Sequence, residues 1–176
     1  MTANRTHHVD RRTFVAGATA TAIIISGGAL IHPREAWGFE PKILKPETMR
    51  TLIKMARDIY PHDRLADQFY AVAVKSYDEK SGKDAALKAM VETGVAALDA
   101  MAQTKHKVGY AGVGADSERV ALLREFEKDK LFGTLRGDLV VSLYNQKEVW
   151  PLFGYEGESA SKGGYITRGF ADITWL

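Results

Sequence analysis

Between Pro46 and Leu143 the apolar side chains recur at three- and four-residue intervals almost without interruption, and that period restricts the body of the chain to helices packed on helices. Pro46-Glu47 opens the first segment, the proline suited to a first-turn position and the acid to the positive helix end, and Met49, Leu52, Ile53, Ala56 and Tyr60 form its stripe. Pro61 stops it. Asp63 is placed to cap a second helix, in which Leu65, Phe69, Val72, Ala73 and Tyr77 share a face until Ser81-Gly82 breaks the pattern. A third, from Asp84 to about Gln103, groups Leu87, Met90, Val91, Val95, Leu98 and Met101. Asp116 or Ser117 caps a fourth with Val120, Leu123 and Phe126 inward, and Phe132, Leu135, Leu139, Val140 and Leu143 make a fifth. No stretch of the body alternates as a strand. The spacing predicts an all-α fold, a small helical bundle over residues 39–153 with short loops, followed by an extended glycine- and aromatic-rich C-terminal arm over residues 154–176.

Residues 1–38 are of another kind. Arg5, Arg11 and Arg12 stand against the single acid Asp10, and Arg11-Arg12-Thr13-Phe14 leads into a weakly apolar stretch, to Ile31, broken by Gly17, Thr19, Thr21, Ser26, Gly27 and Gly28. That is the zoned layout of a secretory leader, and Arg11, Arg12 and Phe14 together look like a twin-arginine export signal, which implies a periplasmic destination and the twin-arginine translocase as a partner. A spanning helix needs about 20 predominantly apolar residues, so the stretch falls short as an anchor. Ala36-Trp37-Gly38 supplies small residues at the minus-three and minus-one positions of a cleavage site, which sets the boundary after Gly38. The competing reading is a buried amphipathic helix that begins with an arginine pair. With four of the chain's 24 basic residues and two of its 22 acidic ones in this leader, the remainder carries 20 of each. The body is therefore formally neutral, and nothing in it favours nucleic acid.

Twin-arginine export moves proteins that have already folded, usually around a cofactor, so a cofactor site is the next thing to seek. The chain has no cysteine, which removes covalent c-type haem, cysteine-held iron–sulfur clusters, disulfides and a thiol nucleophile. Beyond the leader its histidines are His62 and His106, too few and too scattered for a metal cage. His62, in Tyr60-Pro61-His62-Asp63, most simply ends one helix and precedes the next. Gly109, Gly112 and Gly114 lack the preceding strand and the Lys-Ser/Thr ending of a phosphate loop and read as a flexible connection. No residue is assigned a catalytic or metal-binding role. A leader suited to cofactor-loaded cargo, on a chain with no means of holding a cofactor, implies that the cargo is a second chain.

From Trp150 onward the order changes. Trp150, Phe153, Tyr155, Tyr165, Phe170 and Trp175 are interleaved with Gly154, Gly157, Gly163, Gly164 and Gly169. Such glycines let the backbone reach positive φ, and so many aromatics are too costly to leave in water. Two readings stand: the tail folds back over its own bundle, or it lies over a partner. On the second, Trp150, Tyr155, Gly163, Gly164, Tyr165, Arg168, Gly169, Phe170 and Trp175 are the partner-binding residues, with Arg168 making a charged or stacking contact.

The ending Phe153-Gly154-Tyr155-Glu156-Gly157, then Gly163 through Leu176, resembles the C-terminus of the gluconate 2-dehydrogenase subunit 3 family. The twin-arginine leader, the turn Ile59-Tyr60-Pro61-His62-Asp63 and the segment from Asn145 to Trp150 are similar to that family as well, so the likeness spans essentially the whole chain. The resemblance implies a small, non-catalytic subunit of a periplasmic dehydrogenase. In such assemblies a large glucose-methanol-choline type flavoprotein holds FAD and oxidises a sugar or sugar acid, and a cytochrome subunit with c-type haem takes the electrons onward. The small subunit escorts and stabilises the flavoprotein and supplies the signal it lacks. Gluconate, another aldonate, a free sugar or a glycoside oxidised at carbon three would all suit the complex.

Two readings from other classes are a free-standing exported helical binding or structural protein without an enzyme partner, and an exported hydrolase using acids such as Asp58, Asp63 or Asp67. The hydrolase reading lacks a recognisable acid/base partner for any of them.

Overall fold

The computed structural model describes residues 37–168 and, as backbone, the strands β1 (Ile23–Ile25) and β2 (Ala29–Ile31), which pair antiparallel with Ile23 opposite Ile31. Arg11, Arg12 and Phe14, expected to form an export signal, and Gly169, Phe170 and Trp175 of the expected arm, lie outside the described residues.

From Trp37 onward the fold is all-α, built from α1 (Pro46–Ile59), α2 (Asp67–Ser81), α3 (Ala85–His106), α4 (Asp116–Phe126) and α5 (Lys130–Ser142). Helix α1 is the hub and packs against each of the other four. Its buried residues, Thr48, Met49, Thr51, Leu52, Ile53, Met55 and Ala56, cover far more than one stripe, as a helix must when it has neighbours on several sides. Around it the core is filled by Tyr70, Val74 and Tyr77 from α2, Val91, Val95 and Leu98 from α3, Leu122, Leu123 and Phe126 from α4, and Leu131, Leu135 and Leu139 from α5. Pro46 takes the first-turn position of α1 and Glu47 its first turn, and the Asp84 side chain caps α3 by accepting the Leu87 N–H at 2.9 Å.

Several local expectations are corrected. Asp63 does not cap α2, because residues 62–66 form a turn that buries Leu65 and bonds its N–H to the His62 carbonyl at 3.1 Å, and the helix begins only at Asp67. Val72 faces solvent. The inward face of α2 belongs to two tyrosines, which bury larger rings and still place their hydroxyls: Tyr70 donates to the Tyr60 carbonyl at 2.7 Å and Tyr77 to Asp138 at 2.8 Å. Neither Asp116 nor Ser117 caps α4, whose cap position is Ala115 with no side-chain bond, since the Asp116 carboxylate turns to Arg119 instead. In α5, Leu131, Leu135, Leu139 and Leu143 make the inward line at four-residue spacing, which swings Val140 out beside the equally exposed Val141.

One glycine is fixed by packing. A Cβ on Gly94 of α3 would stand 2.7 Å from the Leu131 side chain of α5, so the two helices touch at a point where only hydrogen fits. Gly133 and Gly137 of α5 face open space. Gly94→Ala is expected to destabilise by about 1 kcal/mol net, the cost of overpacking exceeding the gain in helix propensity, whereas Gly133→Ala stabilises by roughly 0.5–1 kcal/mol. Urea midpoints at unchanged slope check the pair, and equal shifts would mean that α3 and α5 are not in contact at Gly94.

Candidate functional site

The chain leaves α5 through Leu143 and Val149, both fully buried, and then enters a 3-10 turn over Trp150–Phe153. Trp150 is the pillar on which the arm stands. Its indole N–H donates to the Tyr144 carbonyl at 2.7 Å, Tyr155 meets its ring edge-on at 5.3 Å between centroids, and Gly157 lies flat on it. Gly157 is at φ +101, a left-handed conformation that calls for glycine, and a Cβ there would sit 3.5 Å from the Trp150 ring, in ordinary contact with it. Gly154, Gly163 and Gly164 also take positive φ, which folds residues 154–168 into successive turns with a 3-10 segment at Ser159–Lys162.

Glu156 closes this loop on itself. One of its carboxylate oxygens accepts from Lys162 at 3.1 Å and from Arg168, twelve residues on, at 2.6 Å, and the Arg168 guanidinium lies 5.8 Å from the centroid of the Tyr165 ring. The Lys162 contact first, then the Arg168 charge, hold the Glu156 carboxyl below its ordinary pKa. With its base tied, the loop turns apolar groups outward: Phe153 and Tyr155 are exposed, Tyr165 is 55% exposed and Ile166 is 88% exposed.

Next to the pillar lies an aromatic cluster. A 2.6 Å hydrogen bond joins His62 Nε2 and the Tyr144 hydroxyl, the Phe153 ring stands edge-on 4.9 Å from the imidazole, and Tyr60 meets Tyr144 at 5.9 Å. Arg64 reaches the Leu152 carbonyl at 3.4 Å, and Pro61, His62, Asp63, Arg64 and Phe153 line an open cleft of about 310 Å³. Burial first, then the nearby Arg57 charge, lower the His62 pKa against the opposing pull of Asp63, so the imidazole is neutral at pH 7 and packs as an aromatic. Sequence reasoning placed His62 only as a helix terminator. The signal it lacked was Tyr144, 82 residues away.

A second polar cluster escaped the sequence altogether. Arg119 of α4 is 2% exposed, and its guanidinium grips both Asp58 oxygens at 2.7 and 3.0 Å, the Val113 and Gly114 carbonyls at 2.8 and 3.0 Å, and Asp116. The Tyr110 hydroxyl donates to Asp58 at 2.6 Å; burial, then the Asp58 charge, raise its pKa well above the ordinary phenol range and keep it a donor. Tyr110 is fully buried and its N–H bonds Asp99 at 2.8 Å, so the connection Gly109 to Gly114, expected to be flexible, is pinned at both faces. Asp58 is thereby held in a buried ion pair, and Asp67, largely exposed, pairs with Arg57 at 2.9 Å.

Of the residues expected to bind a partner, Trp150, Tyr155, Gly163, Gly164, Tyr165 and Arg168 are brought into the one loop, with Trp150 turned inward as support and Tyr155 and Tyr165 turned outward. Among the described residues no group of three or more His, Asp or Glu could hold a metal ion, and no helix is long and apolar enough to cross a membrane. No protein-family model, curated protein or solved structure matches the chain.

Replacing Asp58 with Ala leaves Arg119 buried without its main counter-charge and is expected to cost about 3–5 kcal/mol, read as a lowered denaturant midpoint; a loss below about 1 kcal/mol would mean that water reaches the guanidinium. For Glu156 the depressed folded-state pKa fixes the sign. The closed loop is fully favoured above the ordinary glutamate pKa, about 4.3, and loosens as pH falls below it through the lowered value. Trp150 and Tyr155 fluorescence followed from pH 6 to pH 2 checks this, and in Glu156→Gln the transition disappears. Persistence of the transition in that variant would place its origin elsewhere.

Proposed function

We propose that this chain is the non-catalytic small subunit of a periplasmic, FAD-dependent sugar or sugar-acid dehydrogenase, escorting a glucose-methanol-choline type flavoprotein through twin-arginine export and stabilising it afterwards. The flavin belongs to that partner and c-type haem to a further cytochrome subunit, and any association of this chain with the membrane is through that complex. The leader carries Arg11, Arg12 and Phe14, and the glycine-aromatic ending is similar to the gluconate 2-dehydrogenase subunit 3 family. The single observation that carries the reading is the loop over residues 154–168: Glu156 ties Lys162 and Arg168 across it, four glycines supply the positive φ of its turns, and Tyr165 and Ile166 are exposed. A loop already closed on itself by that ion pair loses less freedom when a partner covers it than an open tail would.

A second reading has one observation in its favour. The Trp150 indole and Gly157 pack on the chain's own bundle, as they would in a free-standing exported helical protein without an enzyme partner. Co-expression with a flavoprotein lacking a leader separates the two. The escort reading expects the two chains to co-purify with bound FAD, while this chain alone carries none and turns over nothing. Arg11→Lys with Arg12→Lys is expected to leave the flavoprotein active but confined to the cytoplasm. Tyr165→Ala weakens the complex by about 2 kcal/mol, roughly thirtyfold in Kd, without shifting the melting of the isolated chain. A flavin or turnover retained by this chain alone would end the proposal.

A further inference from the structure

The boundary that Ala36-Trp37-Gly38 marks for a leader peptidase falls inside the folded body. The Trp37 side chain is 6% exposed and belongs to the core together with Leu44, and its ring lies 6.2 Å from Phe39, itself under the Lys75 ammonium at 5.9 Å. Further along, the Asp78 carboxylate of α2, in a residue only 4% exposed, accepts three consecutive backbone N–H groups, those of Lys42 and Ile43 at 2.9 Å and Leu44 at 2.7 Å. Residues 37–44 are thus a strap tied down at both ends, by an indole at one and a carboxylate at the other. A peptidase needs its substrate extended and accessible around the scissile bond. Here the minus-two side chain is buried, and Gly38, the residue to be cut, takes φ +74 in the left-handed region.

We infer that the bond after Gly38 is masked in the folded protein and that processing leaves Trp37 on the mature chain, so that the folded body begins at Trp37 or earlier. The inference rests on the export reading only for the presence of a peptidase. Twin-arginine cargo reaches the far side already folded, with the strap closed before the enzyme meets it. The strap itself follows from the burial of Trp37 and the bonds to Asp78.

The full chain recovered after export is weighed intact by mass spectrometry. A first residue at or before Trp37, including the uncut chain, supports the inference, and a chain beginning at Phe39 overturns it. In parallel, the purified full-length protein is treated with leader peptidase. The wild type is expected to resist cleavage after Gly38, while Asp78→Asn, which leaves the cleavage sequence intact and turns an amide against three donors, is cut there at least about tenfold faster because the strap opens. Cleavage of the wild type after Gly38 as fast as of Asp78→Asn overturns the inference, whereas a bond uncut in both is masked by Trp37 and Gly38 without need of Asp78 and supports it. Trp37→Ala in the full chain is expected to lower the melting temperature by roughly 10 °C, and unchanged melting would show that Trp37 is no part of the core. Should the paired lysine substitutions at Arg11 and Arg12 leave the chain's location unchanged, the export reading falls, while the peptidase and melting measurements still decide the strap.

Discussion

The guanidinium of Arg119 has five N–H donors, and each meets an acceptor: two on Asp58, one on each of the Val113 and Gly114 carbonyls, and one on Asp116. Taking such a cation out of water is costly unless the set is complete, and completing it requires α1, the connection before α4 and α4 itself to be in place together. The same device recurs. Asp99 of α3 accepts the Tyr110 N–H, its pKa raised by burial and pulled back by the bonds from Tyr110 and Thr51. Asp78 of α2 captures three N–H groups of the strap. Each of the first three helices therefore contributes one carboxylate that ties it to a distant part of the chain, Asp58 and Asp99 to the segment from Tyr110 to Arg119 and Asp78 to the strap before α1.

How much of this could be read in advance divides along a physical line. The helices, their order and most of their inward residues were legible because burial on one face imposes a 3.6-residue period on the sequence itself. Val72 and Val140 were misplaced because periodicity fixes a stripe only to within about one residue of rotation, and the choice between neighbouring stripes was settled by Tyr70 and Tyr77 finding hydroxyl partners and by the leucine line of α5. Arg119, Asp58 and Asp78 carried no local signal. A charged side chain goes inside only when distant acceptors or donors are waiting, and those lie 61 residues away for the Arg119–Asp58 pair and 34 to 36 for Asp78.

The arm was legible in its glycines and less so in its aromatics. Gly154, Gly157, Gly163 and Gly164 take the positive φ that glycine was expected to permit there. The division of labour was not: Trp150 supports the loop from beneath, whereas Tyr165 and Ile166 project from it. Of the described part of the tail, the inward half packs on the bundle and the outward half is exposed.

The central place of α1 also has a bearing on the order in which the body can assemble. It is the first helix of the body to emerge during synthesis, yet its neighbours include the last, α5, and its Asp58 meets Arg119 only after 61 further residues have been added. At ribosomal speeds that is a wait of roughly 3–12 seconds with the inward face of α1, which carries Met49, Leu52, Ile53, Met55 and Ala56, uncovered. The other four helices of the body therefore cannot close around α1 one at a time as they are made: its inward face stays open until α5 arrives, so the body closes as a unit only when nearly all of it has been synthesised.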